Sequence, residues 1–107
     1  MSHPLPTGAQ IGQAVEKIGH ACGLMFRSVL LGQGVIVPQH KHDHDHASYI
    51  ASGSARLWID GVWEGDYTGG DEIEIKAQHE HLFQALEPNT RIVCVWPENL
   101  DELPKAS

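Results

Sequence analysis

The chain has 107 residues, 41% of them hydrophobic and 20% charged, which suits one globular domain with a core and is too short for two. That hydrophobic share excludes a disordered chain, and no apolar run approaches the roughly 20 residues that a membrane helix needs. Seven Lys and Arg against fourteen Asp and Glu give a net charge of −7, a surface that repels nucleic-acid backbones and anionic lipid.

The opening residues, MSHPLPTGAQ, have neither a basic start nor an apolar run, so a cytoplasmic location is the expectation. Residues 1–8 hold two prolines and read as an arm. From Ala9 to His20, the apolar residues Ile11, Val15 and Ile18 recur at i, i+4 and i+7, which predicts a short N-terminal helix ended by Gly19 and Gly23. The period then changes. Apolar or β-branched runs follow at 24–31, 35–37, 48–52, 55–59, 62–67, 72–75, 81–86 and 91–96, each bounded by turn-forming residues.

Asp60-Gly61 separates two of these runs by two residues, the signature of a hairpin whose turn needs positive φ at both positions. Eight short strands with little helix between them predict an all-β fold, a sandwich or small barrel, in a single domain. The barrel core spans about 24–96, with an N-terminal arm or helix over 1–23 and an acidic tail over 97–107. Trp58, Trp63, Trp96, Phe26 and Phe83 lie within strand runs and are assigned mostly to core packing. Cys22 and Cys94 lie far apart among apolar neighbours and read as two buried, reduced thiols.

Eight histidines are several times normal usage, and six fall in two clusters, His40-Lys41-His42-Asp43-His44-Asp45-His46 and His79-Glu80-His81. Alternation at i, i+2 puts the rings of each cluster on one face of an extended strand. A straight strand would spread His40 and His46 by about 20 Å, beyond the reach of one ion. For His40, His42 and His46 to share a metal, the chain must therefore turn between residues 43 and 45. Three readings of the run stand side by side: a solvated His/Asp loop that binds metals loosely, a zinc-protease helix, and one metal held by both clusters on a β scaffold. The helix reading lacks the glutamate after His42 that its chemistry needs.

The spacing Gly34-x5-His40-x-His42-x3-His46-x6-Gly53 resembles the first cupin motif, with His46 where most cupins carry glutamate. Gly70-x5-Lys76-x-Gln78-x2-His81-x3-Ala85 resembles the second motif in its glycine and histidine alone. The resemblance covers residues 24 to 96 and is nearest to small monodomain cupins with four-histidine metal sites. It implies a jelly-roll β-barrel with one divalent transition metal in its mouth, Fe or Mn first, with Ni, Cu, Zn or Co as alternatives. By position match the ligands would be His40, His42, His46 and His81. His44 would sit at the turn tip and His79 at the rim.

Imidazole suits these metals, and octahedral coordination by four histidines leaves two open positions for a bidentate substrate or for substrate with O₂. The expected function is a metal-dependent oxidoreductase or dioxygenase, or a lyase or isomerase, acting on a small oxygen-bearing organic compound. The alternative is a non-catalytic module that holds a small ligand at the same metal. Loss of the motif glutamate removes a proton shuttle, so a base would come from His44, His79, Tyr49 or Glu80. Tyr49 follows the metal run and is expected to point inward, to ligand or core. A homodimer is expected, since small cupins pair through sheet edges that would otherwise be exposed.

Overall fold

The computed structural model describes residues 3–7, 15–40 and 43–99, with 15 and 38–40 described through their backbone alone. Nine strands run through these residues: β1 (Val15–Ala21), β2 (Leu24–Leu31), β3 (Ile36–His40), β4 (His46–Ser52), β5 (Ser54–Ile59), β6 (Val62–Thr68), β7 (Glu72–Ile75), β8 (His81–Ala85) and β9 (Thr90–Pro97). They form two antiparallel sheets, a five-stranded one ordered β1-β2-β9-β4-β7 and a four-stranded one ordered β3-β8-β5-β6. The all-β expectation holds. No helix of the described residues is long and apolar enough to cross a membrane.

Alternation builds the two-layer core. In β4, His46, Ser48 and Ile50 are buried while Ala47, Tyr49 and Ala51 are exposed, so one face of the strand looks inward. Val29 and Leu31 of β2, Ile50 of β4, Ile75 of β7 and Ile92 of β9 meet Val37, Ala55, Leu57, Phe83 and Ala85 of the opposite sheet. Phe83 lies in this core. Trp58 is 2% exposed but stands beside Leu57 on the opposite face of β5, where its indole N–H donates to His3 O at 2.8 Å. The N-terminal arm is therefore pinned to the barrel wall at that point.

Two-residue hairpin turns join β5 to β6 and β1 to β2. Asp60 and Gly61 have φ of 50° and 81° and join Ile59 to its partner Val62, as the two-residue turn requires. Cys22 and Gly23, with φ of 54° and 74°, make the same kind of turn between Ala21 and Leu24. This second turn corrects two expectations. The predicted N-terminal helix is strand β1 from residue 15 onward, and residues 9–14 of that prediction lie outside the described residues. Edge strand β1 leaves Ile18 60% exposed, so the apolar spacing that suggested a helix face does not mark a buried surface here. Cys22 is exposed at the turn rather than buried, and both cysteines are free.

Arg56 and Asp66 face each other across β5 and β6 with two bonds of 2.8 and 2.9 Å, and the Trp63 indole N–H adds a third to Asp66 at 3.0 Å. The guanidinium holds the Asp66 carboxyl below its ordinary range, assisted by the indole and opposed by partial burial. A depressed carboxylate contributes stability that is complete above the unfolded value of about 4 and is lost as pH falls through the lower folded value. Asp66→Asn should therefore cost about 1 kcal/mol at pH 7, the upper range for a half-exposed bidentate pair. Urea melts at pH 7 and in acid should show that difference shrinking as pH drops below about 4.

Candidate metal centre

Two strand openings deliver the buried histidines. His46 starts β4 in the five-stranded sheet and His81 starts β8 in the four-stranded one. They are 5% and 1% exposed, and their ring centroids lie 5.1 Å apart at an interplanar angle of 47°. Strand β3 belongs to the four-stranded sheet and β4 to the other, so His40 and His46 stand on different sheets.

Position 40 is the Cα partner of His81 in the β3–β8 ladder, which brings the first motif alongside the second. The His40 side chain and all of His42 lie outside the described residues. Among the described residues, no group of three or more His, Cys, Asp or Glu gathers as a metal site. The donor set that is described fits one ion: two imidazoles bound at about 2.0–2.1 Å and about 90–110° to each other have centroids about 4.5–5.2 Å apart. The 5.1 Å separation of His46 and His81 falls within that range.

The inner face of the five-stranded sheet continues from His46 through Ser48, which is fully buried. Ser48 pairs in register with Cys94, and its hydroxyl lies 3.4 Å from the Cys94 sulfur. Burial pushes the Cys94 thiol up, while the Ser48 contact and the charge of Arg27 draw it partly back. Such a thiol is a poor nucleophile and a poor metal ligand at neutral pH. His44 is half-buried, with its ring 5.7 Å from that of Trp96 and 6.4 Å from that of His46. It donates from Nδ1 to Asp45 O at 3.1 Å.

His79 lies in the loop before β8 and is exposed, so it does not share a strand face with buried His81, and its Nδ1–H donates to Asp60 Oδ2 at 2.6 Å. It borders an opening of about 220 Å³ between the sheets, floored by Leu57, Ile59, Tyr67 and Ile73. A larger groove of about 460 Å³ reaches His46 at the β4–β7 edge, where exposed Ala47 and Glu74 line it. Tyr49 corrects a sequence expectation. It is 43% exposed, three residues from inward-facing His46, and an odd offset along a strand puts it on the opposite face.

Two aspartates that the sequence reading did not single out hold the segment before His81. Asp45 Oδ1 accepts the Ala77 N–H at 2.8 Å. Asp60 Oδ1 accepts the Glu80 N–H at 2.9 Å, and the Asp60 N–H donates to Glu80 O at 2.7 Å. The Asp60-Gly61 dipeptide signalled a turn, but its carboxylate also clamps a neighbouring loop.

The two-sheet, nine-stranded architecture decides the fold. The chain has the cupin fold. KdgF from a Halomonas species superposes with a TM-score of 0.69 at 25% identity, covering 81% of this chain and 80% of that chain. An RmlC-like cupin with a double-stranded β-helix fold from Methanocaldococcus jannaschii gives 0.70 at 12% identity, over 92% of this chain and 95% of the other. Oxalate decarboxylase of Bacillus subtilis, in a structure concerned with its Mn(II) centres, gives 0.63 at 28% identity. That alignment covers 70% of this chain and 21% of the decarboxylase chain. The sequence matches no protein-family profile and no curated protein.

Proposed function

We propose that this cupin is a metal-dependent enzyme in which His40, His42, His46 and His81 hold one divalent transition metal beside a small oxygen-bearing substrate. The observation that carries the reading is the buried His46–His81 pair, drawn from two sheets to a 5.1 Å ring separation. Burying two imidazoles that close together has a chemical rationale when both nitrogens face one cation. The manganese of the similar oxalate decarboxylase makes Mn, with Fe, the first metal to test.

A bound metal of this kind supplies Lewis-acid polarisation of a substrate oxygen and a neighbouring position for O₂. The reaction class is oxidation by O₂, or lyase or isomerase chemistry on a carbonyl compound. The chain's own part is to orient the imidazoles, exclude water with the Phe83 side of the core, and move a proton at the rim. Of the candidate bases, His79 has its ring fixed through Nδ1 by Asp60, which leaves Nε2 to exchange a proton. Tyr49 drops out of that role because it lies on the outer face. Pairing of two copies along exposed edge strand β1 completes the reading.

Position 46 favours a second reading, a non-catalytic ligand-binding module, because His46 replaces the carboxylate that serves as a proton shuttle in the family motif. Elemental analysis of tag-free full chain, with His42→Ala and His81→Ala, tests the shared site. About one metal per chain in the parent, lost in both variants, is the expected result. Metal that survives His81→Ala overturns it. Loaded protein incubated with candidate ligands under O₂ then separates turnover from reversible binding.

A further inference from the structure

We propose that Asp45 is a positioning residue for the histidine pair, tying the segment that delivers His81 to the strand end that delivers His46. The inference rests on the metal-site reading above. Asp45 immediately precedes His46, and its side chain is 19% exposed. Its Oδ1 takes the N–H of Ala77, a residue only 7% exposed, at 2.8 Å. Its Oδ2 lies 3.7 Å from Lys76 Nζ, and Lys76 is itself held at 2.8 Å by Glu74.

Residues 76–80 run from the end of β7 to the start of β8, and so from one sheet to the other. Asp60 ties the far end of this segment to the β5–β6 turn, within the sheet that already contains β8. Asp45 ties the near end to the start of β4, carrying the β4–β7 pairing of His46 with Ile75 two residues further, to Ala77. It therefore links the two histidines through backbone: one residue from His46 on one side, and four residues from His81 on the other. A charge-assisted bond to a buried N–H is short and directional. Supporting groups of this sort hold ligand geometry, and their loss typically weakens metal affinity by about 10–100-fold.

Cobalt(II) titration of the full chain, followed by its visible absorption and by competition with a chelator, tests this against Asp45→Asn, Asp45→Ser and Asp45→Ala. Asparagine keeps an acceptor at the Oδ1 position, and should bind within about threefold of the parent with an unshifted band. Serine is one bond too short to reach Ala77 and alanine has no acceptor. Both should bind about 10–100-fold more weakly, with a shifted band at saturation. Should Asp45→Ala fail to fold, Asp45→Ser carries the decision. Serine and alanine variants that match the parent in affinity and band overturn the positioning role and leave the metal site standing. So does an asparagine variant as weak as alanine. A parent that binds no cobalt overturns the metal site, and this inference with it.

Discussion

Treating the metal-loaded full chain with a chelator should lower its melting temperature by about 11–22 °C and leave His81→Ala unmoved. The size follows from linkage: a ligand at about 100 times its dissociation constant stabilises the native state by about 2.7 kcal/mol. In a domain of about 100 residues each kcal/mol moves the midpoint by about 4–8 °C. The expectation depends on where the ligands come from. His46 and His81 stand on different sheets, 35 residues apart in the chain, so an ion between them exists only in the folded barrel. The run from His40 to His46 stays contiguous when the chain unfolds, and a metal held by that run alone would bind both states and shift the midpoint little. Calorimetry with and without chelator distinguishes these cases. Equal shifts in the parent and in His81→Ala would remove His81 from the site. His44→Ala serves as the control, since its ring lies 6.4 Å from His46 and packs towards Trp96, and it should melt and respond as the parent does.

The barrel was legible because its strands alternate and its turns carry their usual residues. Predicted runs such as 55–59 and 72–75 fall on β5 and β7, and Asp60-Gly61 turns as its composition demands. Strand β1 was not legible, because an edge strand with an exposed apolar residue such as Ile18 has no inward face for alternation to record. Its turn was hidden too, since Cys22 takes the positive-φ position where asparagine or aspartate would have advertised it. At the site, it was the resemblance to the two cupin motifs that set His46 beside His81, whose rings lie 5.1 Å apart. The inward expectation for Tyr49 fails because it does not carry strand parity three residues on from His46. Asp45 and Asp60 were out of reach for a different reason. Each acts on a backbone N–H 20 or more positions away, at Ala77 and Glu80, and backbone groups leave no trace in sequence.

The largest loss of stability from a single methyl group should come at Gly53, the last glycine of the first motif. Gly53 sits between β4 and β5 with φ of +73°, a region that costs an L-residue about 1–2 kcal/mol. A Cβ there would also stand 2.3 Å from Thr90 Oγ1 and 2.8 Å from Thr90 Cα. The first atom belongs to a side chain, but the second is backbone and cannot rotate away. Nor is the side chain free to yield: Thr90 is fully buried, donating to Glu87 O at 2.8 Å and accepting from Ser54 N–H at 3.4 Å. Relief therefore requires β9 to slide against the β4–β5 corner, and overpacking of this kind adds about 1–3 kcal/mol. Gly53→Ala should lose about 2–5 kcal/mol in all, a large share of the about 5–15 kcal/mol a domain holds. Gly70 supplies the internal comparison, with φ of +100° and nothing within 4 Å of an added Cβ. Gly70→Ala isolates the backbone cost and should lose about 1–2 kcal/mol. Urea titrations at equal m-value measure both, and a Gly53→Ala loss no greater than that of Gly70→Ala would show that the corner accommodates a methyl group without moving Thr90.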